Sequence, residues 1–225
     1  MTHHSHEHAP DAPLTDPAEF WEARYLANRG ESGTVWSGRV NAAVEREASG
    51  LPVGRALDLG SGEGGDALWL AARGWRVTAV DISANALAVG AAKADEEGLA
   101  DRIEWVQADL ATWHPSAEYD LVTAAFLHSP VELPREEILR RATAAVAPGG
   151  RLLVVGHGAF PPSHEPEPDA PPLPTADEVL EQLDLPEGWV VETSESVDRA
   201  VTWRDGSDIV LTDAVLRVRL DDPQA

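Results

Sequence analysis

Residues 56–66 read ALDLGSGEGGD, an apolar run carrying one acid, Asp58, followed by four glycines, of which Gly60, Gly62 and Gly65 fit the spacing G-x-G-x-x-G. The segment entering them, Arg55 to Leu59, has the length and apolarity of a strand, and the segment leaving them, Gly65 to about Arg73, has a helical pattern. Glycines are needed here because the chain turns sharply and a ligand touches the backbone with no Cβ in the way. The alternative is a tight strand-to-helix turn without a ligand. Asp81 closes the next apolar strand, WRVTAVDI, about twenty residues beyond the first glycine, where an acid accepts hydrogen bonds from both hydroxyls of a ribose. A nucleotide cradle on an α/β fold is the expectation.

Outward from this stretch, strands and helices alternate. A long alanine-rich helix runs from Ser83 to Glu97 and stops at Gly98. RIEWVQAD supplies a third strand, and YDLVTAAFLH a fourth whose nearly continuous apolar run suits a strand buried on both faces of a parallel sheet. A helix from Pro134 to Val146 leads through APGG into a fifth strand, RLLVVGH. Residues 159–174 are proline-rich and acidic, and a short helix follows near Ala176 to Leu183. WVVETSESVDRAVTW and DIVLTDAVLRVRL, split by a turn at Arg204 to Ser207, read as an antiparallel hairpin. Upstream, Asp16 and Pro17 mark a helix start for DPAEFWEARYLANR, with Phe20, Trp21 and Tyr25 as an aromatic stripe, and residues 40–49 resume a helical pattern. Trp21 is read as packing; Tyr25 either packs or belongs to a lid over a ligand.

Composition narrows the function classes. Seventeen basic residues against 39 acidic ones leave a formal charge of −22, which repels phosphate backbones and anionic membranes, so neither nucleic acid nor membrane is an expected partner. No apolar stretch reaches the roughly 20 residues of a membrane span, and the N-terminus lacks the order of a secretory signal, so a cytoplasmic location is expected. With no cysteine, thiolate metal sites and cysteine nucleophiles are excluded. The expected organisation is a His-rich tail at residues 1–13 and one domain at 14–225; His3, His4, His6 and His8 would chelate metal only incidentally, and no metal site is expected.

The glycine loop and Asp81 suit a nicotinamide dinucleotide as well as S-adenosylmethionine (SAM). Three features favour the second. Asp58 sets a carboxylate beside the loop, which repels a pyrophosphate and attracts the ammonium and sulfonium of SAM. Asp109, closing the third strand in VQADL, can accept from an adenine amino group. The antiparallel ending is unusual for a dinucleotide domain of this length. The only lysine, Lys93, has no tyrosine four residues before it, which excludes a Tyr-x-x-x-Lys reductase.

On these residues the chain resembles the class I SAM-dependent methyltransferases from about Phe20 to its end. DLGSGEGG, VTAVDIS, VQADL, YDLVTAAFLH and APGGRLLVV match five family motifs in order. FWEARY, VWSGRVN and DLGSGEGGDALWLA resemble more closely the small bacterial branch with tellurite-resistance and thiopurine methyltransferases, although Ser61 stands where many relatives have cysteine. The resemblance implies a Rossmann-like, doubly wound seven-stranded sheet in the order 3-2-1-4-5-7-6. It also implies that Gly60 and Gly62 meet the methionine moiety, Asp81 with Ile82 the ribose, and Asp109 with Leu110 the adenine. Asp58 would act on the amino group, and Arg39 would clamp the methionine carboxylate or else lie in solvent.

Methyl transfer from a sulfonium relies on positioning, and a general base matters only for protonated acceptors. His128 and His157 close the fourth and fifth strands, where this fold presents strand ends to a ligand, so they are the candidates for base or acceptor-binding residues, in that order. Each could equally bond a loop carbonyl. Phe126, Phe160 and Trp36 either line an aromatic acceptor pocket or pack; His114 and His164 are read as surface residues. The chain reads Leu127-His128-Ser129-Pro130 after the fourth strand, with no Asn-Pro-Pro-Tyr-like motif, which leaves a small-molecule acceptor such as a thiol, a chalcogen oxyanion or an aromatic oxygen or nitrogen. The alternatives are an NAD(P)-binding oxidoreductase and a SAM-binding protein without turnover. Oligomeric state is not readable.

Overall fold

The structure, a computed structural model, describes residues 16–27, 34–159, 173–202 and 207–223. The His-rich tail, Phe160, His164, nearly all of the proline-rich segment and most of the 204–207 turn lie outside the described residues.

Seven strands form one sheet: β1 (Arg55–Leu59), β2 (Arg76–Asp81), β3 (Ile103–Gln107), β4 (Tyr119–Ala125), β5 (Val146–Ala159), β6 (Trp189–Thr202) and β7 (Asp208–Leu220), in the order β3-β2-β1-β4-β5-β7-β6. The first five are parallel, while β7 runs antiparallel to both β5 and β6. This is the doubly wound sheet that the sequence implies. Two apolar cores flank it. On one face α2 (Ala42–Ala48), α3 (Gly65–Ala72) and α4 (Ala84–Glu96) cover Ala56, Val77, Leu121, Leu153 and Val215; on the other α5 (Arg135–Thr143) and α6 (Ala176–Leu183) cover Leu57, Val122, Leu152 and Leu216. Adjacent residues such as Leu152 and Leu153 enter opposite cores because strand side chains alternate, which explains why β4 and β5 are apolar throughout.

Helix starts follow local chemistry. Asn41 caps α2 by accepting from the backbone N–H groups of Ala43 and Val44, and Thr175 with Glu178 forms a reciprocal capping box on α6. Helix α1 (Pro17–Ala27) starts where Asp16 and Pro17 place it.

Several boundaries differ from the sequence reading, and one of them is that β5 runs on to Ala159, where it pairs with β7, so His157 lies inside the strand and does not close it. Strand β5 begins at Val146, because the APGG segment continues the ladder through an irregularity opposite Tyr119 and Leu121, and α5 accordingly ends at Thr143. Strand β3 stops at Gln107, so Asp109 lies beyond it in a turn. Strand β4 stops at Ala125, since Phe126 has a left-handed φ of 51° that breaks the extended run before His128. Parallel strands point their carboxyl ends the same way, so the loops after β1, β2, β4 and β5 gather at one edge of the sheet.

Candidate active site

At that edge the chain leaves β1 through the glycine loop. The N–H groups of Gly60 and Ser61 both donate to the Val80 carbonyl, at 2.9 and 3.0 Å, which ties the loop to the end of β2. Gly62 has φ +54°, and a Cβ there would stand 2.9 Å from the Tyr25 hydroxyl, so glycine is required by both backbone and space. Its N–H donates to Asp81 Oδ2 at 2.8 Å, while Ser83 N–H donates to Oδ1 at 2.9 Å. Asp81 therefore organises the loop from within. Each carboxylate oxygen keeps a second lone pair, so capacity for ribose hydroxyls remains.

Asp58 is 2% exposed; its Oδ1 accepts from the Thr123 hydroxyl at 2.8 Å, and its Oδ2 has no partner among the described residues. Burial and the charges of Asp66 and Asp81 push its carboxyl far above the usual range. Burial also raises Asp66, against a hydrogen bond from Asn41 N–H, and raises Asp81 despite its N–H donors. Three carboxyls crowded beside a glycine turn disfavour a pyrophosphate and suit a cation, because a positive group compensates their charge where water cannot. The unpartnered buried oxygen and the Cβ-free turn fit the amino and sulfonium groups of SAM.

Sequence reasoning missed Glu22. From α1 it crosses to the start of α4 and accepts from the Ser83 hydroxyl (2.9 Å), Ala84 N–H (2.7 Å), Asn85 N–H (3.3 Å) and the Asn85 side-chain amide (2.6 Å). Desolvation opposes its charge, but these donors outweigh it and hold the carboxyl below its usual range. Trp21 Nε1 donates to Ser129 Oγ at 3.3 Å, and Tyr25, 5% exposed, accepts from Trp36 Nε1 at 3.1 Å. Helix α1 thus spans from the start of α4 to the loop after β4, with Tyr25 and Trp36 over Gly62. Of the two expectations for Trp36, an acceptor pocket or packing, the structure shows its ring packed beside Tyr25 and Gly62 at the glycine loop. Glu63 fixes the adjoining segment by accepting from Val35 and Trp36 N–H.

The two histidines do meet. Their rings stack at 5.7 Å, and Phe126 stacks on His157 at 4.4 Å. The hairpin contributes a pair that no local motif signalled: Arg199 of β6 binds Asp213 of β7 in bidentate fashion at 2.7 and 3.1 Å, Asp213 Oδ1 lies 4.0 Å from His157 Nδ1, and the Arg199 guanidinium lies 5.6 Å from the Phe126 ring. The backbone N–H of His157 donates to His128 Nε2 at 3.4 Å, which assigns the proton of neutral His128 to Nδ1. Burial, with Arg135 and His157 adding repulsion, lowers His128 to about 4, so it is neutral near pH 7. Burial likewise lowers His157.

The remaining expected residues are more dispersed. Arg39 is exposed, and its carbonyl approaches Gly65, where a Cβ would stand 2.6 Å from it. Asp109 is exposed and accepts from Ala111 N–H at 2.8 Å, so one of its oxygens already caps a turn; Leu110 is buried in the core beside α5. The Ile82 carbonyl accepts from Gln107 at 3.3 Å. Arg24, between the rings of Trp21 and Trp36 at 5.6 and 5.8 Å, is the basic side chain of α1 at the glycine-loop end.

Comparison with known proteins agrees with this geometry. Residues 56–150 match a family model described as a methyltransferase domain. The chain is 36% identical over 119 residues to a ribosomal RNA small subunit methyltransferase C of Chromohalobacter salexigens, covering 51% of this chain and 35% of that one. It is 36% identical over 116 residues to a trans-aconitate 2-methyltransferase of Streptomyces avermitilis, covering 49% and 42%. The chain thus spans less than half the length of these curated relatives. Among solved structures, one concerned with conversion of a disulfide bond into a thioacetal group during echinomycin biosynthesis superposes with a TM-score of 0.66 at 27% identity, over 91% of this chain and 93% of that one. TehB from Haemophilus influenzae superposes with a TM-score of 0.66 at 20% identity, over 81% and 63%.

Proposed function

We propose that the chain is a class I SAM-dependent methyltransferase and that it methylates a small-molecule acceptor held beyond the last β4–β5 pair, against Phe126, His128 and His157. The observation that supports this most is the pairing of two unlike environments at one sheet edge: a buried acidic nest beside the glycine loop, and an aromatic and imidazole stack beyond it. When bound, SAM supplies an electrophilic methyl group on a sulfonium with a neutral leaving group. Asp58, Gly60, Gly62 and Asp81 would hold it, with Asp109, Leu110, Ile82 and either Arg39 or Arg24 at its periphery.

The chain's own residues then have to orient the acceptor and exclude water. Phe126 presents a flat face, and its left-handed backbone is of the kind that costs about 1–3 kcal/mol and recurs at functional sites. His128, neutral and with Nε2 already accepting, is better suited to donate a hydrogen bond from Nδ1 than to remove a proton. An acceptor that is already nucleophilic at neutral pH, such as a thiolate, a chalcogen oxyanion or another soft anion, suits such a site better than a neutral phenol. The thioacetal-forming neighbour concerns sulfur chemistry, and the trans-aconitate relative is named for a small carboxylate; both are consistent with a small acceptor. A formal charge of −22 argues against an RNA acceptor of the kind named for the other relative.

The test is calorimetry with SAM and S-adenosylhomocysteine, followed by a turnover panel of thiols, chalcogen oxyanions, phenols, heteroaromatics, carboxylates and a 16S ribosomal RNA fragment. Micromolar SAM binding with product from a small acceptor is expected. Methylation of the RNA alone would overturn the proposal, and SAM binding with no product from any acceptor would favour a binder without turnover.

A further inference from the structure

Arg135 begins α5, and its side chain turns back to the sheet, so that Nη2 lies 3.7 Å from where a Cβ on Gly156 would stand; His128 Nε2 lies 3.0 Å from the same point. It is half-buried, its Nε is sealed from solvent without a hydrogen-bond partner, and among the described residues it makes no ion pair. The contrast with its neighbours is chemical. The half-buried arginines of the C-terminal strands all have carboxylates: Arg151 and Arg217 with Glu192, Arg199 with Asp213, and Arg219 with Glu192 and Asp221. Glu136, next to Arg135 in sequence, forms its ion pair with Arg140 at 3.1 Å and acts on Arg135 only as a nearby charge, which does not offset the desolvation of the guanidinium. A guanidinium stays charged at any pH the protein meets, and a secluded charge without a counterion is costly unless a ligand supplies one.

We propose that Arg135 is the acceptor-recognition residue of this site and that the acceptor carries a carboxylate or comparable oxyanion, bound by the guanidinium beside the His128 and His157 stack. The inference rests on the reading of that stack as the acceptor end of a methyltransferase site. Geometry and charge agree. The guanidinium presents planar donors that match a carboxylate, and both imidazoles beside it, each lowered by burial, are neutral near pH 7. Arg199 lies over the Phe126 ring, but its charge is already met by Asp213, which leaves Arg135 to discriminate an anion from its neutral analogue. A group argued from recognition leaves the donor site untouched, since Arg135 lies on the loop and helix after β4 and the acidic nest lies at β1 and β2.

The experiment follows the imidazole nitrogens of His128 and His157 by NMR in the full chain, with and without S-adenosylhomocysteine, during titration with benzoate and succinate and with their amides. The carboxylates are expected to shift those signals and to bind at least tenfold more tightly than the amides. Arg135→Gln should abolish that preference, Arg135→Lys should keep part of it, and both should leave the dissociation constant for S-adenosylhomocysteine within twofold. Melting of Arg135→Gln should be unchanged or higher, as removal of an unpaired secluded charge predicts. Equal binding of acids and amides by the wild type, or an acid preference that survives in Arg135→Gln, would overturn the assignment. Arg135-dependent carboxylate binding in a protein that fails to bind S-adenosylhomocysteine would uphold the anion site and sink the methyltransferase reading instead.

Discussion

Removing Glu22 should detach α1 from the sheet edge while leaving the fold standing. One half-exposed carboxylate accepts from four donors of Ser83, Ala84 and Asn85 at 2.6–3.3 Å, two of them backbone N–H groups at the start of α4. Hydrogen bonds to a charged acceptor contribute about 1.5–3 kcal/mol each when secluded and less near water, and a charge at a helix N-terminus adds ~0.3–1 kcal/mol. Bonds that share one partly solvated carboxylate do not sum, so ~2 kcal/mol for the set is a working figure, equivalent to about 30-fold in the docking equilibrium of α1. Neither of the two apolar cores contains an α1 residue, so global stability should move far less than docking. Hydrogen exchange on Glu22→Ala is expected to show protection over residues 17–27 falling by about that 30-fold factor, with melting nearly unchanged, and SAM affinity falling because Tyr25 leaves Gly62 uncovered. Glu22→Gln, which keeps one acceptor oxygen without the charge, should fall between. The pH sign follows from the lowered carboxyl: the docking contribution is complete above about 4.5 and is lost as pH falls through the folded value. Unchanged α1 protection in Glu22→Ala, or a loss of protection spread evenly over β1 and β4, would refute the reasoning.

Asp81→Ala strips acceptors from the Gly62 and Ser83 N–H groups, and with buried donors left unmet it should cost about 2–4 kcal/mol in chemical denaturation as well as most of the SAM affinity by calorimetry; retained affinity would show that the loop does not need this acid. Asp58→Asn should stabilise the cofactor-free protein at pH 8, since a carboxyl raised to about 8 makes the wild type lose stability as pH rises from its unfolded value through its folded one. The same variant should bind SAM more weakly, and a melting curve that keeps the wild-type pH dependence would contradict the assignment. For His128, lowered to about 4 from 6.5, unfolding titrations should show stability falling as pH drops between those values, while kcat should lack a His128 limb between pH 6 and 8. A limb near 6.5 that disappears in His128→Gln would restore His128 as the general base.

The sequence by itself determined the elements whose logic is local or periodic. The strand, the glycine loop and the helix of residues 55–72 form one short stretch, and Asp81 reaches the loop because it ends the strand paired directly with β1. Continuous apolar runs made β4 and β5 central, and the histidines meet beyond the last β4–β5 pair, Ala125 with Val155, because His128 follows the turn at Phe126 while β5 runs on through His157. Tertiary structure decided what depends on chain crossings. Glu22 binds residues 61 to 63 positions away, and Asp213 answers Arg199 across a hairpin register and His157 across a second strand pairing. Arg135 stands out only through the ion pair it does not make among the described residues. Asp109 shows the converse, since an acid placed by motif in a strand folds into a turn that occupies one of its oxygens. A pattern in sequence reports the face and the spacing of a residue within its own element. It carries no record of which groups from other elements arrive to satisfy, neutralise or strand a charge, and at this site those arrivals lower His128, seclude Asp58 and leave Arg135 Nε without a partner among the described residues.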